Sequence, residues 1–430
     1  MSTGFYQILC TGDVHLGRRP SRVPVEDDGL SVRHVWERFV ETAINREVDV
    51  VVLTGDIVDS ENEMYEAFGA LERGVQGLLD AGIEIVAVAG NHDHDAFPRL
   101  VRGIDADGFH LLGPGGTWEE VQIGLESGET VRFVGWSFPQ PTVLSSPLDD
   151  VEIAETDEPT IGVLHCEAGS GEGQYAPVRR EELARVPVDA WLLGHIHAPN
   201  DHREAGQLQL YLGSLQPLDP GEPGTHGAWL VEVSGQDASA EQIPLASLRY
   251  EEMSVDVADC ETGDDVEETV LHALRDSAAE LGDQFPDLRH IAHRLRFEGR
   301  TALHREIEET LPEMVGTVRR AVDDVSATIE SFKLDTRPDH DLDELARADD
   351  PPGVLAQLLL QLENGDVEHE RVQRILREAS KATREVYESS RYEPLRRDSE
   401  TRDSPDRGEL RSMLYQQGLL LLDELHASRE

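Results

Sequence analysis

Cysteine, lysine and long apolar runs are all scarce in this chain of 430 residues. Its three cysteines (Cys10, Cys166 and Cys260) are odd in number and widely spaced, which excludes a disulfide framework and a zinc ribbon and fits a reducing cytosol. No run of about 18 apolar residues occurs, and no charged-then-apolar leader opens the chain. We therefore expect a cytoplasmic protein that is neither secreted nor inserted in a membrane.

Basic side chains are few, and lysine is nearly absent. Lys333 and Lys381 are the only lysines, and 38 basic residues face 86 acidic ones, which gives a net charge of −48. An acidic, lysine-poor but well-patterned chain is typical of extreme halophiles, where surface carboxylates keep a protein hydrated. A surface made for a partner is the alternative. This charge predicts repulsion of DNA phosphates in dilute salt, but at about 1 M salt the Debye length falls to roughly 3 Å and screens it.

Five polar motifs are present, each directly after an apolar run. The runs are Phe5 to Cys10, Val48 to Leu53, Ile83 to Val88, Ile161 to Leu164 and Trp191 to Leu193. The motifs that follow them are DVH (13–15), GD (55–56), GNHD (90–93), a lone His165 and GHIH (194–197). Such runs, separated by helically spaced ones, indicate buried strands of an α/β layer fold. Loops at the carboxyl ends of its strands then meet at one edge, where α/β proteins build their sites.

The motifs supply carboxylate, amide and imidazole groups, which is the ligand mix of a two-metal centre. Asp56 is suited to bridge, because one carboxylate can span two ions about 3.5–4 Å apart. Imidazole combined with carboxylate and amide oxygens suits manganese, iron or zinc better than calcium or magnesium. The residues alone therefore predict two divalent metal ions and a metal-dependent phosphoesterase.

The apolar pattern predicts three parts. Residues 1–245 form the α/β part, in which three later runs are predicted to complete a sandwich with a second sheet: 131–136, 208–212 and 227–233. Residues 246–337 are predicted as a small α+β cap, with strands at 291–297 and 327–334 and helices at 303–311 and 315–322. Residues 338–430 are predicted as a helical carboxyl-terminal region, with helices at 355–362, 372–386 and 410–425 and an exposed linker at 396–407. Gln417 and Gly418 interrupt the apolar stripe of the last helix, and a glycine inside a helix costs about 1 kcal/mol against alanine.

The ordered motifs resemble the calcineurin-like metallophosphoesterase superfamily, and within it the DNA-repair exonuclease branch, the Mre11/SbcD nucleases. Two further stretches resemble that branch: GDVHLG (12–17), and GSLQPLD (213–219) followed by GTHG (224–227). The stretch RLRFEGRTALH (294–304) resembles the cap of YhaO-like bacterial members. The resemblance implies a β-sandwich flanked by helices and a two-metal DNA nuclease, an exonuclease that acts in repair. A small-molecule phosphodiesterase or phosphatase is the alternative, and a binding subunit with a vestigial metal site is a third reading.

The resemblance also implies a role for each motif residue, with Mn²⁺ as the expected metal. One ion would be held by Asp13, His15, Asp56 and His197, and the other by Asp56, Asn91, His165 and His195. His92 would steady the transition state and help the leaving oxygen depart, while a hydroxide bridging the ions attacks the phosphorus.

Asp59 departs from the pattern of the best-known nucleases, which have a histidine three residues after the bridging aspartate. A carboxylate there resembles the superfamily's phosphatases, and we predict that Asp59 orients His92. Arg18, Arg19 and Arg22 either contact a phosphate backbone or form a solvated loop. Four other histidines are predicted as surface or loop residues: His34, His110, His202 and His226.

The resemblance further implies partners besides DNA. The apolar stripe from Leu410 to Leu425 either packs in the core or docks on the coiled coil of an SMC-like ATPase, as carboxyl-terminal helices of SbcD-like proteins do. Homodimer formation is left open.

Overall fold

The structure is a computed structural model that describes residues 6–23, 28–59, 64–104, 107–124, 128, 130–316, 318–365, 369–387 and 406–427. The chain separates into two compact units. The first unit holds Met1–Val255, Glu268–Arg296 and Leu311–Lys333, and the second holds Asp256–Glu267, Phe297–Thr310 and Leu334–Glu430. The predicted boundaries at 245/246 and 337/338 stay predictions.

The strands are β1 (Tyr6–Thr11), β2 (Val50–Leu53), β3 (Glu84–Ala87), β4 (Phe109–Leu111), β5 (Glu119–Gly124), β6 (Thr130–Trp136), β7 (Thr160–His165), β8 (Glu167–Gly169), β9 (Pro177–Arg179), β10 (Ala190–Gly194), β11 (Asn200–Glu204), β12 (Gln207–Tyr211), β13 (Gly227–Ser234), β14 (Asp237–Pro244), β15 (Leu248–Asp256), β16 (His290–Glu298), β17 (Arg300–Thr301), β18 (Arg319–Val322), β19 (Val325–Leu334) and β20 (Arg337–Pro338). The α-helices are α1 (Val32–Arg46), α2 (Met64–Asp80), α3 (Ala96–Ile104), α4 (Arg180–Leu183), α5 (Gly263–Gln284), α6 (His304–Met314), α7 (Leu342–Leu345), α8 (Pro351–Glu363), α9 (Glu370–Tyr387) and α10 (Arg407–Ala427).

Two six-stranded sheets form the sandwich that the sequence predicted. The first has the order β14-β13-β1-β2-β3-β4, and the second has the order β11-β12-β10-β7-β6-β5. The five motif-bearing runs are the strands β1, β2, β3, β7 and β10, which confirms them as strands, although Phe5 lies outside the described residues. The expectation that 227–233 completes the second sheet was wrong. That run is β13, which pairs antiparallel with β1 in the first sheet, because sequence proximity to β12 does not determine which strand edge is open.

Both faces of the first sheet are buried, which explains its unbroken apolar runs. Leu9 and Val51 face α1 and α2, where Trp36 and Phe39 belong to the same core. Ile8, Cys10 and Val50 face the second sheet and pack with residues of β6, β7 and β10. Alternate residues of one strand therefore serve two cores, and the carboxyl ends of the strands are left to carry polar loops.

Within the range predicted as the cap, β15-β16-β19-β18 form a four-stranded sheet. The helix predicted at 315–322 is wrong, because Arg319–Val322 is a strand that pairs antiparallel with β19. Gly316 adopts a left-handed φ of 71° just after α6, and Asp323 adopts a φ of 51° in the two-residue turn between β18 and β19. Positive φ values in a two-residue connection are typical of a hairpin, and they override the apolar spacing that resembled a helix.

In the second unit, α7, α8, α9 and α10 pack around a core of their own. The last helix is continuous through Gly418, where a Cβ atom would come within 2.5 Å of the Leu359 side chain. The glycine at this position is therefore explained by close helix packing, and the predicted final helix is confirmed. The predicted linker lies outside the described residues as far as position 405. No helix in the described ranges is long and apolar enough to span a bilayer.

One buried histidine, in β16, is expected to reduce the stability of the folded protein. His293 of β16 is 1% exposed, and neither ring nitrogen has a hydrogen-bond partner among the described residues. Burial, followed by the charge of His290, lowers the pKa of His293 to about 4. Because the unfolded chain binds a proton near pH 6.5, stability is full above that pH and falls as pH drops toward 4.

We expect His293→Leu to raise the free energy of unfolding by about 1–3 kcal/mol at pH 7, since it removes unpaired polar atoms from the core. The gain over the wild type should widen by up to about 3 kcal/mol between pH 6.5 and 4. Urea unfolding of both proteins across this range measures their free energies of unfolding. The difference between the two proteins cancels the contributions of the other histidines. Parallel stability curves would show that His293 has the same pKa in the folded and unfolded states, against the expected shift.

Candidate metal centre

The predicted ligands converge at the carboxyl edge of the two sheets. Two groups have ligand atoms that all lie within 4.8 Å of one another: Asp13 with His15 and His197, and Asp13 with Asp56 and His165. Asn91 joins the second group, since its Oδ1 lies 3.0 Å from His165 Nε2 and 3.3 Å from His195 Nδ1. All seven residues are therefore brought to one place.

Strained backbone marks the loops that carry these residues. Asp13, His15, Asp56 and His195 have φ values of 47°, 50°, 51° and 94°, in the left-handed region that side chains other than glycine rarely adopt. Such a conformation costs on the order of 1–3 kcal/mol per residue and persists where surrounding structure imposes it. Four of the seven predicted ligands carry this cost, which indicates that the loops are shaped for the site.

Hydrogen bonds between loops impose that geometry. Beyond the ends of β1 and β2, the amides of Asp13 and His15 donate to the carbonyls of Gly55 and Asp56 at 3.0 and 2.9 Å. Glycine is required where the loops touch, because a Cβ atom on Gly90 would lie 2.2 Å from Asp56 Oδ1. The motif glycines thus let the loops approach closely enough for their side chains to share one centre.

The surroundings of His165 show whether the site fits a cation. Its Nδ1 lies 2.9 Å from the carbonyl oxygen of Thr54, which can only accept, so Nδ1 carries the proton. The lone pair of Nε2 then faces Asn91 Oδ1 at 3.0 Å and Asp56 Oδ2 at 3.4 Å, and both of these atoms are also acceptors. Acceptors facing one another need a positive charge between them. The donor set therefore fits a metal ion.

The pKa of His165 shows the same need for positive charge. Burial by itself would lower it, but the carboxylates of Asp56 and Asp13 outweigh burial and raise the pKa to about 9. In return, His165 holds the pKa of Asp56 below its usual range despite the burial of that carboxyl group. The pocket favours one added positive charge, which either a proton or a metal ion supplies.

Glu222 supports the pair formed by His15 and His197, and no motif in the sequence indicated this role. Glu222 Oε1 lies 2.8 Å from His197 Nδ1, while its Oε2 accepts from Ser214 Oγ at 2.8 Å and Leu218 N at 3.1 Å. The carboxylate fixes the proton on Nδ1 and aims Nε2 at His15 Nε2, 3.2 Å away. Burial first of all lowers the pKa of His15 to about 3, so that imidazole is neutral and able to ligate.

A second missed residue, Asp93, joins two ligand loops. It is fully buried, and its Oδ2 accepts from Ile57 N at 2.7 Å and Val58 N at 3.4 Å, while its Oδ1 accepts from Gly90 N at 2.8 Å. Burial and then the charge of Asp56 raise the pKa of Asp93 to about 7. Its position in GNHD was visible in the sequence, but the motif gave no indication of these partners.

The remaining predicted residues differ in burial. The exposed ring of His92 stands edge-on to His15 with centroids 5.2 Å apart, and its amide donates to Asp56 Oδ1 at 2.8 Å. Asp59 is buried, with Oδ2 3.6 Å from Arg18 Nε. His226 lies in the loop before β13, as predicted, but that loop folds inward, so the side chain is 1% exposed and lies 3.0 Å from Ser214 Oγ.

Residues 6–199, which include every predicted ligand, match the family described as calcineurin-like phosphoesterase. This part of the chain is a calcineurin-like phosphoesterase domain. Proteins of this family are metallophosphoesterases with a dinuclear metal centre, in agreement with the two ligand groups. Residues 250–337 match a second family, the middle domain of metallophosphoesterase YhaO.

Individual relatives extend the comparison. The chain is 27% identical to metallophosphoesterase YhaO of Bacillus subtilis over 54% of this chain and 56% of the relative. It is also 27% identical to the DNA double-strand break repair protein Mre11 of Aeropyrum pernix over 59% of this chain and 64% of the relative. The chain thus spans less than two thirds of each. Among solved structures, the calcineurin-like phosphoesterase YfkN of Bacillus subtilis is 13% identical, with a TM-score of 0.37 over 56% of this chain and 91% of that one.

Proposed function

We propose that this chain is a two-metal DNA nuclease, with exonuclease action in DNA repair. The observation that carries the proposal is a complete set of seven converging ligands on a chain similar to a protein named DNA double-strand break repair protein Mre11. Manganese is the proposed metal, because the donors mix imidazole with carboxylate and amide oxygens. Screening by concentrated salt would allow the acidic surface to approach DNA.

Seven of the predicted residues would bind the metal ions, and His92 would transfer a proton. Asp13, His15, Asp56 and His197 would hold one ion, and Asp56, Asn91, His165 and His195 would hold the other. Two bound ions would supply an activated water as nucleophile and positive charge for the phosphoryl oxygens. The exposed ring of His92 stands beside His15, where it can hydrogen-bond the leaving oxygen and pass it a proton. Asp59 stays the proposed orienter of His92.

A smaller phosphoester is the second candidate, favoured by Asp59 and by the charge of −48. The carboxylate stands where the best-known nucleases have a histidine, and an acidic protein repels a polyanion more strongly than a single phosphate.

The further proposals are a cap at 246–337, a carboxyl-terminal region at 338–430 that docks an SMC-like ATPase, and a location in the cytoplasm. Leu422 of the proposed docking helix is buried, whereas Met413 and Leu421 are about half exposed.

The test compares substrates at high salt. Purified protein with Mn²⁺ is given 5′- or 3′-labelled single- and double-stranded DNA and, separately, bis(p-nitrophenyl) phosphate. We expect metal-dependent shortening of DNA that stops when a chelator is added. Hydrolysis of the aryl diester without cleavage of either DNA would favour the second candidate. Turnover at an undiminished rate in chelator would exclude the metal mechanism.

A further inference from the structure

Arg18 places a cation at the rim of an otherwise acidic site. It follows DVH by three residues, and its amide donates to the carbonyl of His15 at 2.9 Å, so the turn after the ligand loop fixes where the side chain begins. The chain carries a net charge of −48, Asp13 and Asp56 are buried among the predicted metal ligands, and Asp93 is buried beside them. A guanidinium in these surroundings has a use beyond solubility.

The guanidinium is anchored at one end and open at the other. Its Nε lies 3.6 Å from Oδ2 of Asp59, whose side chain is 6% exposed, whereas the side chain of Arg18 is 38% exposed. Among the described residues, the terminal Nη groups have no hydrogen-bond partner. Arginine presents five donors in a fixed fork, so a pair that uses only Nε leaves a bidentate face for an anion.

Asp59 is held in register with the metal loops. Leu16 N donates to Ile57 O at 2.9 Å, and Asp59 N donates to Leu16 O at 3.0 Å, which continues the parallel pairing of β1 and β2 past the ligands. At about 3.3 Å per extended residue, Asp59 lies up to about 10 Å along the chain from Asp56. The guanidinium is therefore tied beside the ligand group rather than to the ligand carboxylates.

Resting on the proposed nuclease function, we propose that Arg18 binds a backbone phosphate adjacent to the phosphodiester being cleaved, and that Asp59 is the positioning residue for its guanidinium. In this role the guanidinium takes a second phosphate, which a nucleic-acid strand carries and a single-phosphate substrate lacks. The pair thus selects a polynucleotide over a small phosphoester. This role also gives Asp59 a function that a histidine at the same position could not supply.

Two assays test the pair in the full chain, with Arg18→Gln and Asp59→Asn as variants. Arg46→Gln replaces an exposed arginine at the carboxyl end of α1 and controls for the loss of one positive charge. In the kinetic assay, Arg18→Gln should lower kcat/KM on a labelled oligonucleotide by about 10- to 100-fold, the range of one charge-assisted hydrogen bond. Turnover of bis(p-nitrophenyl) phosphate should be unchanged, which also shows that the variant is folded.

In the binding assay, the same oligonucleotide is titrated against metal-free protein in chelator over a range of salt. Loss of one phosphate contact should reduce the slope of log K against log salt by about 0.7 for a single strand. Arg46→Gln should keep the wild-type slope, and Arg18→Lys should restore it in part. The double variant of Arg18 and Asp59 should be no weaker than Arg18→Gln, because the carboxylate acts through the guanidinium.

Each contrary result has its own meaning. An equal loss on the aryl diester would place Arg18 on the scissile phosphate and overturn the proposal. An active wild type with an unaltered Arg18→Gln slope would overturn it as well. Asp59→Asn is expected to lower turnover of both substrates through His92, so a loss on the oligonucleotide no larger than the loss on the aryl diester would overturn its positioning of Arg18. A wild type that neither binds nor cleaves the oligonucleotide, yet hydrolyses the aryl diester, overturns the nuclease function and this inference with it.

Discussion

Asp56→Asn is expected to reduce kcat/KM for phosphoester hydrolysis on the order of 10³-fold, a loss comparable to removal of a central electrostatic group in other enzymes. Asp56 Oδ2 lies 3.4 Å from His165 Nε2 and 3.9 Å from His15 Nε2, so one atom faces both ligand groups. Asparagine keeps the shape but offers a neutral oxygen in place of a carboxylate. The expected result is loss of at least one metal ion, with the rate falling as a consequence.

The measurement pairs metal content after dialysis with turnover of an aryl phosphodiester. The amide of His92 donates to Asp56 Oδ1 at 2.8 Å, and the amide oxygen of asparagine can still accept it, so the loop should keep its path. Asp189→Asn is the matched control, since Asp189 Oδ2 accepts from Thr160 N at 2.7 Å at the amino end of β7, far along the strand from the ligands. Near-normal turnover with two ions retained in Asp56→Asn would remove Asp56 from the centre.

The sequence predicted which strands carry the motif loops, because the physics there is local. Continuous apolar runs such as Val50–Leu53 are buried on both faces, and a strand buried on both faces can expose polar groups only at its ends. The glycines before Asp56, Asn91 and His195 mark the places where loops touch. Convergence of the motifs then follows from parallel pairing, in which β1, β2 and β3 end at one edge.

What the sequence did not predict depends on contacts between distant segments. Glu222 is 25 residues from His197 in a polar loop, and no periodicity or spacing distinguishes it from the other acidic residues. Residues 315–322 have apolar spacing typical of a helix, but left-handed turns on either side produce a strand instead. The pairing of β13 with β1 likewise depends on which edge is open, and that is a property of the assembled sheet.

Asp93→Ala is expected to lower the free energy of unfolding by about 3–5 kcal/mol, because it leaves three buried amides without their acceptor at about 1–3 kcal/mol each. These amides belong to Ile57, Val58 and Gly90, on the loops that carry Asp56 and Asn91. Asp95→Ala, two residues away, is the matched control, since the side chain of Asp95 is 57% exposed and pairs with the exposed Arg99. It should change stability by no more than about 0.5 kcal/mol.

Urea unfolding in chelator separates this effect from metal binding, because neither variant then gains stability from a bound ion. Asp93→Asn refines the argument: its amide oxygen can replace Oδ2 toward Ile57, but its NH₂ group would face the Gly90 amide, donor against donor. We therefore expect its stability to fall between those of the wild type and Asp93→Ala. If alanine costs no more at position 93 than at position 95, the loops do not depend on this carboxylate, and the left-handed backbone of Asp56 must be held by its other contacts, chiefly the Cβ-free approach of Gly90.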